Sequence, residues 1–454
     1  MNLTIQVGQD DLDVIQFLIE RRKIDVNEQL KTAIQRGQRD MVKLLLAAGA
    51  DVNYQIEYGY SILGWAENHR QKDIIELLLS TGKCDVNTGV AKTKFTPLMN
   101  ASCYGCIDII KLLLRAGADV NLQNIYGKTA LMYASEHSYK DIVELLLATG
   151  ADVSLQDEKN NTALLYAISM VSNIDIVKFL LATGYCDVNV QNSCKKTSLM
   201  VAVDKNQKDI VNLLLSTGLC DVNLQNEYGN TSLHSSVINN NKDIVELLLA
   251  TGQCDVNIQS KTKNTALILA AFKNNTYIVD LLLATGQCNV NIQNQDQNTA
   301  LMYASKEGNT DIVELLLATG QCDVNLQDKK KFTALMLASI HDHKDIIQLL
   351  LETGDCDPNQ QNKNKDTALM LAIYYGHINS IELLLDTGKC DLNLKNKHGF
   401  TALMYAAKCS IKSIIELLLS TGQCDISLKD QDGMTASMIA TFYDRDKDII
   451  ELLS

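Results

Sequence analysis

Two short segments of this 454-residue sequence have residue types and spacing suited to metal binding or redox chemistry. Cys103 and Cys106 stand in a Cys-x-x-Cys arrangement, which occurs in half of a zinc site and in thiol–disulfide enzymes. His341 and His343 flank Asp342, a second set of possible ligands. A metal site needs three or four ligands, and neither segment has a regularly spaced partner. We therefore predict turn residues, with no metal and no cofactor.

The triplet Gly127-Lys128-Thr129 resembles the end of a phosphate-binding loop. That loop requires an earlier glycine at a position that Leu122 occupies here. Serines and cysteines lack the local signatures of activated nucleophiles, and the carboxylates recur as helix starts and loop residues rather than as a unique acid–base pair. We predict that the chain is not an enzyme.

The elements that must position these residues are repeated along the chain. The phrase Asp-Ile-Val-Glu-Leu-Leu-Leu-Ala-Thr-Gly occurs intact at 141–150, 243–252 and 311–320, and variants recur about every 34 residues. Such self-similarity indicates a stack of units, each of which buries its apolar face against its neighbours.

Each repeat is predicted to contain two helices and an extended loop. In one repeat, Thr299 caps a first helix, and a polar turn leads to a second helix that starts at Asp311, where a carboxylate suits the helix dipole. Gly320 ends this second helix, which is apolar on most sides and is therefore expected to lie between neighbours. Residues 322–328 alternate in polarity, as in a hairpin.

These phrases resemble the ankyrin repeat. First helices open with Thr-Pro-Leu-Met at 96–99 and Thr-Ala-Leu-Met at 129–132 and 401–404, while Gly-Ala-Asp-Val-Asn closes the units at 49–53 and 117–121. The resemblance covers nearly the whole chain. It implies an all-α ankyrin-repeat solenoid, elongated and curved, whose helix-turn-helix units are joined by β-hairpin loops.

We divide the chain, 1–454, into a single solenoid with a cap at each end and no appended domain. The divisions are an N-terminal cap at 1–27, an abbreviated repeat at 28–53, repeats at 58–87, 93–121, 126–155, 159–189, 194–223, 228–257, 262–291, 296–325, 330–359, 364–393 and 398–427, and a C-terminal cap repeat at 432–454.

The sequence departs from the family pattern at the hairpin tips. Gly127 and Gly229 keep the glycine that adopts a left-handed conformation two residues before the capping Thr, but Lys331 and Lys365 replace it elsewhere. If the conformation persists, each such side chain costs about 1 kcal/mol; otherwise these tips are remodelled. The usual histidine of the first helix remains at His234.

Nine cysteines fall at one repeated position. Stacked repeats would separate their Cα atoms by about 8 to 10 Å, which exceeds the limit of about 7 Å for a disulfide. We expect small apolar side chains that are buried or half-buried. They are Cys84, Cys186, Cys220, Cys254, Cys288, Cys322, Cys356, Cys390 and Cys424.

The resemblance implies that ligands bind the concave side, at the hairpin tips and the exposed ends of the first helices. Positions four, three and one before the capping Thr, and seven and eight after it, hold far more Phe and Tyr than chance placement gives. Clustered exposed aromatics anchor protein interfaces; alternatively, each stacks on its neighbouring hairpin. The predicted partner-binding residues are Tyr58, Tyr60, Phe95, Tyr104, Tyr126, Tyr228, Phe272, Phe332, Tyr374, Tyr375, Phe400, Phe442 and Tyr443.

Lysine is frequent and arginine is absent at the same positions and tips, so they have a positive balance on a chain of formal charge -13. Tips such as Lys329-Lys330-Lys331 favour a protein partner with an acidic surface, or they keep exposed hairpin edges soluble. Lysine with aromatic residues also binds single-stranded nucleic acid, but the absence of arginine disfavours that partner.

The N-terminus lacks the basic and apolar regions of a signal peptide, and no apolar run approaches the ~20 residues of a membrane span. We expect a cytoplasmic monomer without membrane insertion. Similar arrays are encoded by large DNA viruses and intracellular microbes, so a host protein is an expected partner and host cytosol or nucleus the alternative location.

The leading interpretation is a non-enzymatic protein–protein interaction scaffold that binds a macromolecular partner on its concave surface. The alternative is an adaptor, or a direct inhibitor or regulator of an enzyme or signalling protein. The two differ in whether a captured partner loses activity when it is bound.

Overall fold

The structure is a computed structural model, and it describes residues 25–169, 173–443 and 447–454, apart from the side chain of Tyr58. In these ranges the chain forms 26 α-helices and no β-strand, in a repeated helix-turn-helix layout. The all-α class is confirmed. Most of the predicted N-terminal cap, residues 1–24, lies outside the described residues.

The chain divides into two compact units, unit 1 (Met1–Asp221) and unit 2 (Val222–Ser454). The helices of unit 1 are α1 Val26–Gln35, α2 Arg39–Ala47, α3 Ile62–Asn68, α4 Lys72–Ser80, α5 Pro97–Tyr104, α6 Ile107–Arg115, α7 Ala130–Glu136, α8 Lys140–Ala148, α9 Ala163–Ser169, α10 Ile174–Ala182, α11 Ser198–Asp204 and α12 Lys208–Ser216.

In unit 2 the helices are α13 Ser232–Ile238, α14 Lys242–Ala250, α15 Ala266–Phe272, α16 Thr276–Ala284, α17 Ala300–Glu307, α18 Thr310–Ala318, α19 Ala334–Ile340, α20 Lys344–Glu352, α21 Ala368–Tyr375, α22 Ile378–Asp386, α23 Ala402–Cys409, α24 Lys412–Ser420, α25 Ala436–Tyr443 and α26 Lys447–Leu452. Odd-numbered helices are the first helices of their repeats, and even-numbered helices are the second.

Hydroxyl caps start most of the first helices, as the sequence predicts, whereas the Asp25 carboxylate caps α1. Thr299 Oγ1 accepts a hydrogen bond from the backbone N–H of Met302 at 3.2 Å, which satisfies a donor that the helix leaves free. The second helix of the same repeat begins at Thr310, one residue before the predicted start, because the side chain of Asn309 provides the cap.

The core lies between helices of successive repeats. On α18, Ile312, Val313 and Leu316 are fully buried, whereas Leu315 and Leu317 are half-buried. Within unit 2, α17 packs on both α15 and α19, and α18 packs on α16 and α20. Each helix therefore buries its apolar side chains against neighbours on two sides, as a repeat stack requires.

The loops have hairpin-like tips that close as turns, without regular β-strands in the described residues. At one tip, Asp328 N donates to Phe332 O at 3.0 Å, and the Asp328 carboxylate accepts from the backbone N–H groups of Lys330 and Phe332, both at 2.8 Å. The Asp328 side chain therefore closes the tip together with this backbone bond. The described residues carry an isolated bridge between Gln55 and Ser61 in place of strands.

The left-handed tip conformation persists without glycine, so the first of the two alternatives for these tips is correct. The φ angle of Lys331 is 63°, close to the 74° of Gly127 at the equivalent position. The same conformation occurs at Lys94, Asn160, Lys195, Lys263, Gln297 and Lys365.

A ladder of asparagine side chains joins successive repeats. Asn291 Oδ1 accepts from the backbone N–H of Asp323, and its Nδ2 donates to the carbonyl of Gln321, both at 2.8 Å. Both bonds also form at Asn53, Asn121, Asn189, Asn223, Asn257, Asn325, Asn359 and Asn393. Each of these bonds fixes the spacing of two repeats.

The nine repeated cysteines are buried or half-buried free thiols, as predicted. Cys254 Sγ donates to the carbonyl of Leu248 at 3.3 Å, and burial raises the pKa of the thiol to about 11. A thiol with so little thiolate is a poor nucleophile and a poor metal ligand. These residues therefore serve packing.

Candidate functional site

The segments that resembled chemical sites are held by structural contacts between neighbouring repeats. Asp342 accepts from Ser380 Oγ at 2.6 Å, and His343 Nε2 lies 3.2 Å from the carbonyl of Lys306, so both bond to neighbouring repeats. In the other segment, Cys103 lies in the last turn of α5 rather than in the predicted turn, and its Sγ lies 3.5 Å from His137 Nε2. Across the residues that the structure describes, no group of three or more His, Cys, Asp or Glu is arranged to hold a metal ion.

The lysine of the phosphate-loop triplet is also occupied. Lys128 Nζ lies 2.7 Å from a carboxylate oxygen of Glu136 and 4.3 Å from the ring centre of Tyr166. The triplet therefore forms a repeat tip with an ion pair and a cation–π contact.

The structure exposes most of the aromatic residues predicted to bind a partner. Four are half-buried, namely Tyr60, Phe95, Phe332 and Phe400. The side chain of Tyr58 is not among those that the structure describes. Eight are exposed, namely Tyr104, Tyr126, Tyr228, Phe272, Tyr374, Tyr375, Phe442 and Tyr443.

Six aromatic residues of three successive repeats in unit 2 form one connected group, which we call the aromatic strip. Its members are Tyr374, Tyr375, Phe400, Tyr405, Phe442 and Tyr443. The rings of Tyr374 and Tyr405 are 6.0 Å apart, and those of Phe400 and Tyr405 are 5.6 Å apart. Lys408 Nζ lies 5.4 Å from the Phe400 ring and 5.5 Å from the Tyr443 ring, which connects the last repeat to the others.

The centre of the strip is fixed by a buried polar network. Tyr405 donates its hydroxyl hydrogen to Asp366 at 3.1 Å and accepts from Asn396 Nδ2 at 2.8 Å. Burial and the neighbouring Asp366 raise the pKa of Tyr405, so the hydroxyl remains a donor. Because the tyrosine has both partners, its ring is a rigid support for Tyr374 and Phe400.

Tyr405 and its equivalents were not among the predicted site residues. Tyr133 and Tyr303 occupy the same place, four residues after the capping Thr, and stack on Phe95 and Phe272 at 5.2 and 5.3 Å. Some predicted aromatics therefore do stack on a neighbouring repeat, but on a tyrosine of its first helix rather than on its hairpin, which the alternative interpretation named. The recurrence of Tyr at this one position was the sequence signal for the stacking partner.

The comparison with protein families accounts for nearly the whole chain. A family model described as ankyrin repeats (3 copies) matches residues 3–89, 30–124, 98–192, 173–260, 249–328, 317–396 and 385–454. The chain belongs to the ankyrin-repeat family, whose repeats are non-catalytic protein–protein interaction modules. The predicted family is confirmed.

Individual relatives are similar over short segments. Over 120 residues the chain is 33% identical to an alpha-latrocrustotoxin of Latrodectus tredecimguttatus, covering 25% of this chain and 8% of the toxin. It is 37% identical over 108 residues to an E3 ubiquitin-protein ligase of Caenorhabditis elegans, covering 23% of this chain and 4% of the ligase. An ankyrin repeat protein of fowlpox virus is 31% identical over 134 residues, which cover 27% of this chain and 38% of the viral protein.

The chain thus covers well under two thirds of each of these relatives. The shared feature is the repeat, and the activities of the larger proteins belong to those proteins. Among the described helices of this chain, none has the length and apolar character to cross a membrane.

Proposed function

We propose that the chain is a protein-binding scaffold whose principal contact surface in unit 2 is the aromatic strip. Exposed aromatic side chains contribute much of the binding energy at protein interfaces, because they bury a large area with little loss of side-chain freedom. Tyr374, Tyr375 and Phe442 are 55%, 51% and 71% exposed, although an aromatic group normally lies in a core. This connected exposure is the observation that supports the proposal.

The charge around the strip supports an acidic protein as the partner. Lys408 lies against two of its rings, and Lys397 is exposed at the tip before Phe400. Complementary charge accelerates association and favours one class of partner, and its effect decreases as salt is added. The expected partner is a folded protein, including a host protein if the chain acts inside another cell.

The test removes exposed aromatic area without changing the support beneath it. We expect the triple variant Tyr374→Ala, Tyr375→Ala, Phe442→Ala to weaken partner binding by about 30-fold or more, because one hot-spot aromatic contributes about 2 kcal/mol. Phe400 and Tyr405 remain, since they pack inward. The measurement is quantitative affinity capture from cytosol, followed by Kd values with the purified partner.

A matched control variant loses exposed apolar side chains that lie in unit 1, outside the aromatic strip. Tyr185 and Leu219 are 83% and 66% exposed in loops after second helices of unit 1. The double variant Tyr185→Ala, Leu219→Ala should capture the same proteins as the unmodified chain. Equal capture by all three proteins would rule out the aromatic strip as the contact surface.

The inhibitor or regulator function stays a prediction. If the captured partner is an enzyme, its activity with and without saturating chain separates a regulator from a passive scaffold. A regulator lowers or raises that activity, whereas a scaffold leaves it unchanged.

A further inference from the structure

Unit 1 contains a cavity of about 460 Å³, lined by α3, α5 and the loop that joins their repeats. This volume is within the usual range of ligand sites, about 300 to 1,000 Å³. Tyr60, Phe95 and Tyr104 contribute aromatic walls. The cavity is separate from the aromatic strip, and the inference drawn from it does not depend on the proposed function of that strip.

The cavity has a cause in the sequence. Gly64 stands three residues after the capping Ser61, at a position that many other first helices fill with a buried methionine. These are Met99, Met132, Met200, Met302, Met336, Met370 and Met404, each at most 2% exposed. Loss of so large a side chain leaves space beside α3 that the neighbouring backbone does not fill.

The floor of the cavity carries a carboxyl group where other repeats have small or apolar side chains. Glu67 stands six residues after the cap and is 4% exposed. The equivalent residues are Ser102, Ser135, Ile168, Val203, Val237, Ala271, Ser305, Ser339, Ile373 and Ala407, all buried. Glu67 is therefore the residue that breaks the pattern at this position in unit 1.

Neither carboxylate oxygen of Glu67 accepts a hydrogen bond at ordinary bonding geometry, although the Asn100 side chain and the Ala101 backbone N–H lie close enough to act on it as weak donors. Burial raises its pKa well above the usual value, and the nearby Asn100 side chain and Ala101 backbone lower it only in part. Asn100 Nδ2 donates instead to Asn68 Oδ1 at 3.1 Å. Arg70 lines the same cavity without pairing with Glu67.

An unpaired buried carboxyl group destabilises a fold by several kcal/mol if it ionises, and serine or alanine serves the fold equally well at this position. The ligand that compensates such a group is a cation, and aromatic walls add cation–π attraction. A neutral ligand can hydrogen-bond to the protonated carboxyl group but does not stabilise its ionised form, and an anionic ligand opposes that ionisation.

We propose that this cavity binds one lysine or arginine side chain of a protein partner, with Glu67 as its counter-ion. Tyr60, Phe95 and Tyr104 surround the aliphatic stem of the bound side chain. Rotation of the Asn100 amide, which lies next to the carboxylate, opens the final approach to Glu67.

Trp65 is the single tryptophan of the chain and is a built-in reporter for the site. It lies on α3 two residues before Glu67, its indole N–H has no hydrogen-bond partner, and its ring is 6.5 Å from that of Tyr60. We expect saturable fluorescence changes with N-acetyl-lysine methylamide and N-acetyl-arginine methylamide. The neutral isostere N-acetyl-norleucine methylamide should bind about 10-fold more weakly or worse, because it cannot pair with the carboxylate.

Variants separate the roles of charge and space. Glu67→Gln should remove the preference for the cationic probes over norleucine, and Gly64→Met should abolish binding of all three probes by filling the cavity. Glu57→Gln, at an exposed tip residue near Tyr60, removes the same charge outside the cavity and should change nothing.

Thermal unfolding distinguishes loss of binding from loss of folding in these variants. Glu67→Ser, the residue type of the next repeat, should raise the thermal unfolding midpoint of the free protein while it abolishes the preference for cationic probes. Three results would overturn the proposal. The unmodified protein could bind the norleucine probe as tightly as the cationic probes, or Glu67→Gln could keep the preference for the cationic probes. The third result is that neither cationic probe shows saturable binding. The proposal also fails if the cationic probes bind the Arg70→Gln variant but not the unmodified protein. In that case the Arg70 side chain itself would fill the cavity and pair with Glu67.

Discussion

His234 uses both nitrogens of its buried ring. Nδ1 lies 2.9 Å from Thr231 Oγ1 and accepts from the Thr231 backbone N–H at 3.3 Å, while Nε2 lies 3.1 Å from the carbonyl of Asn264. This pattern requires the neutral ring with its hydrogen on Nε2. Burial lowers the pKa of His234 below its usual 6.5, although the backbone bonds oppose the shift in part.

The first prediction concerns acid sensitivity. A lowered folded-state pKa means that the unfolded chain binds the proton better, so the contribution of His234 to stability is present above about pH 6.5 and is lost as pH falls below it. The variant His234→Met should lose that part of the pH dependence, because Met404 already occupies the equivalent site, with its sulfur 3.4 Å from the Thr401 N–H.

Urea unfolding at pH 7.5 and pH 5.0 checks this prediction. The unmodified protein should lose more stability between the two conditions than His234→Met does. A control, His398→Gln at an exposed tip residue, should retain the full dependence. If His234→Met keeps the same loss at pH 5.0, protonation of His234 is not responsible.

At the scale of single elements, the helices follow directly from the sequence. Capping hydroxyls such as Thr299 and the apolar pattern of the second helices both have strong local causes, and the structure follows them to within a residue. The loops were harder to predict, because the Asp328 side chain and a single backbone bond to Phe332 close the tip, and no strand ladder extends beyond them. Alternating polarity alone does not distinguish these two arrangements.

The candidate sites were predicted less completely than the helices. Exposed residues such as Tyr375 follow from repeat position, since the residue at that position is exposed in most of the described repeats. Tyr405 was missed because its role depends on a buried network formed with another repeat. Glu67 was missed because an acidic residue near a helix end is ordinary on a surface; only comparison of one position across all repeats marks it as exceptional.

The second prediction concerns strain at the tips. Lys331 holds a left-handed conformation that asparagine adopts at lower cost, and Asn160 already stands at the equivalent position with a φ angle of 57°. Lys331→Asn should therefore raise the free energy of unfolding by about 0.5 to 1 kcal/mol. Urea unfolding measures the difference.

The neighbouring Lys330→Asn is the matched control, since it removes the same charge from a residue whose φ angle is not positive. A surface change of this kind is expected to stay within about 0.5 kcal/mol of the unmodified chain. Equal stabilisation by both variants would point to relief of charge repulsion instead of backbone strain.

At the scale of the whole chain, stability is a sum of contacts between adjacent repeats. Removal of one asparagine of the ladder should therefore weaken the structure locally. In unit 2, we expect Asn291→Ala to speed amide hydrogen exchange most in the repeats containing α16 to α18, with an effect that fades toward α23 and α24. Each lost hydrogen bond contributes about 0.5 to 1.5 kcal/mol.

Hydrogen exchange with mass spectrometry resolves this gradient. Gln295→Ala removes an exposed tip side chain of the same connecting loop and should leave exchange unchanged. A uniform increase over all of unit 2 would contradict nearest-neighbour coupling and indicate one cooperative block.

The asparagine ladder also bears on how such a chain changes over generations. Asn291 contacts the backbone at residues 321 and 323 rather than particular side chains, and the equivalent backbone accepts the other asparagines of the ladder, for example at residues 253 and 255. Duplication or loss of one complete repeat therefore leaves each asparagine with a suitable neighbour, and a repeat shorter by one residue is tolerated as well, since Asn121 makes both bonds to residues 150 and 152. Genes for this architecture can lengthen or shorten by whole repeats. Each new copy can then acquire residues that depart from the repeat pattern, such as Gly64 and Glu67 in this chain.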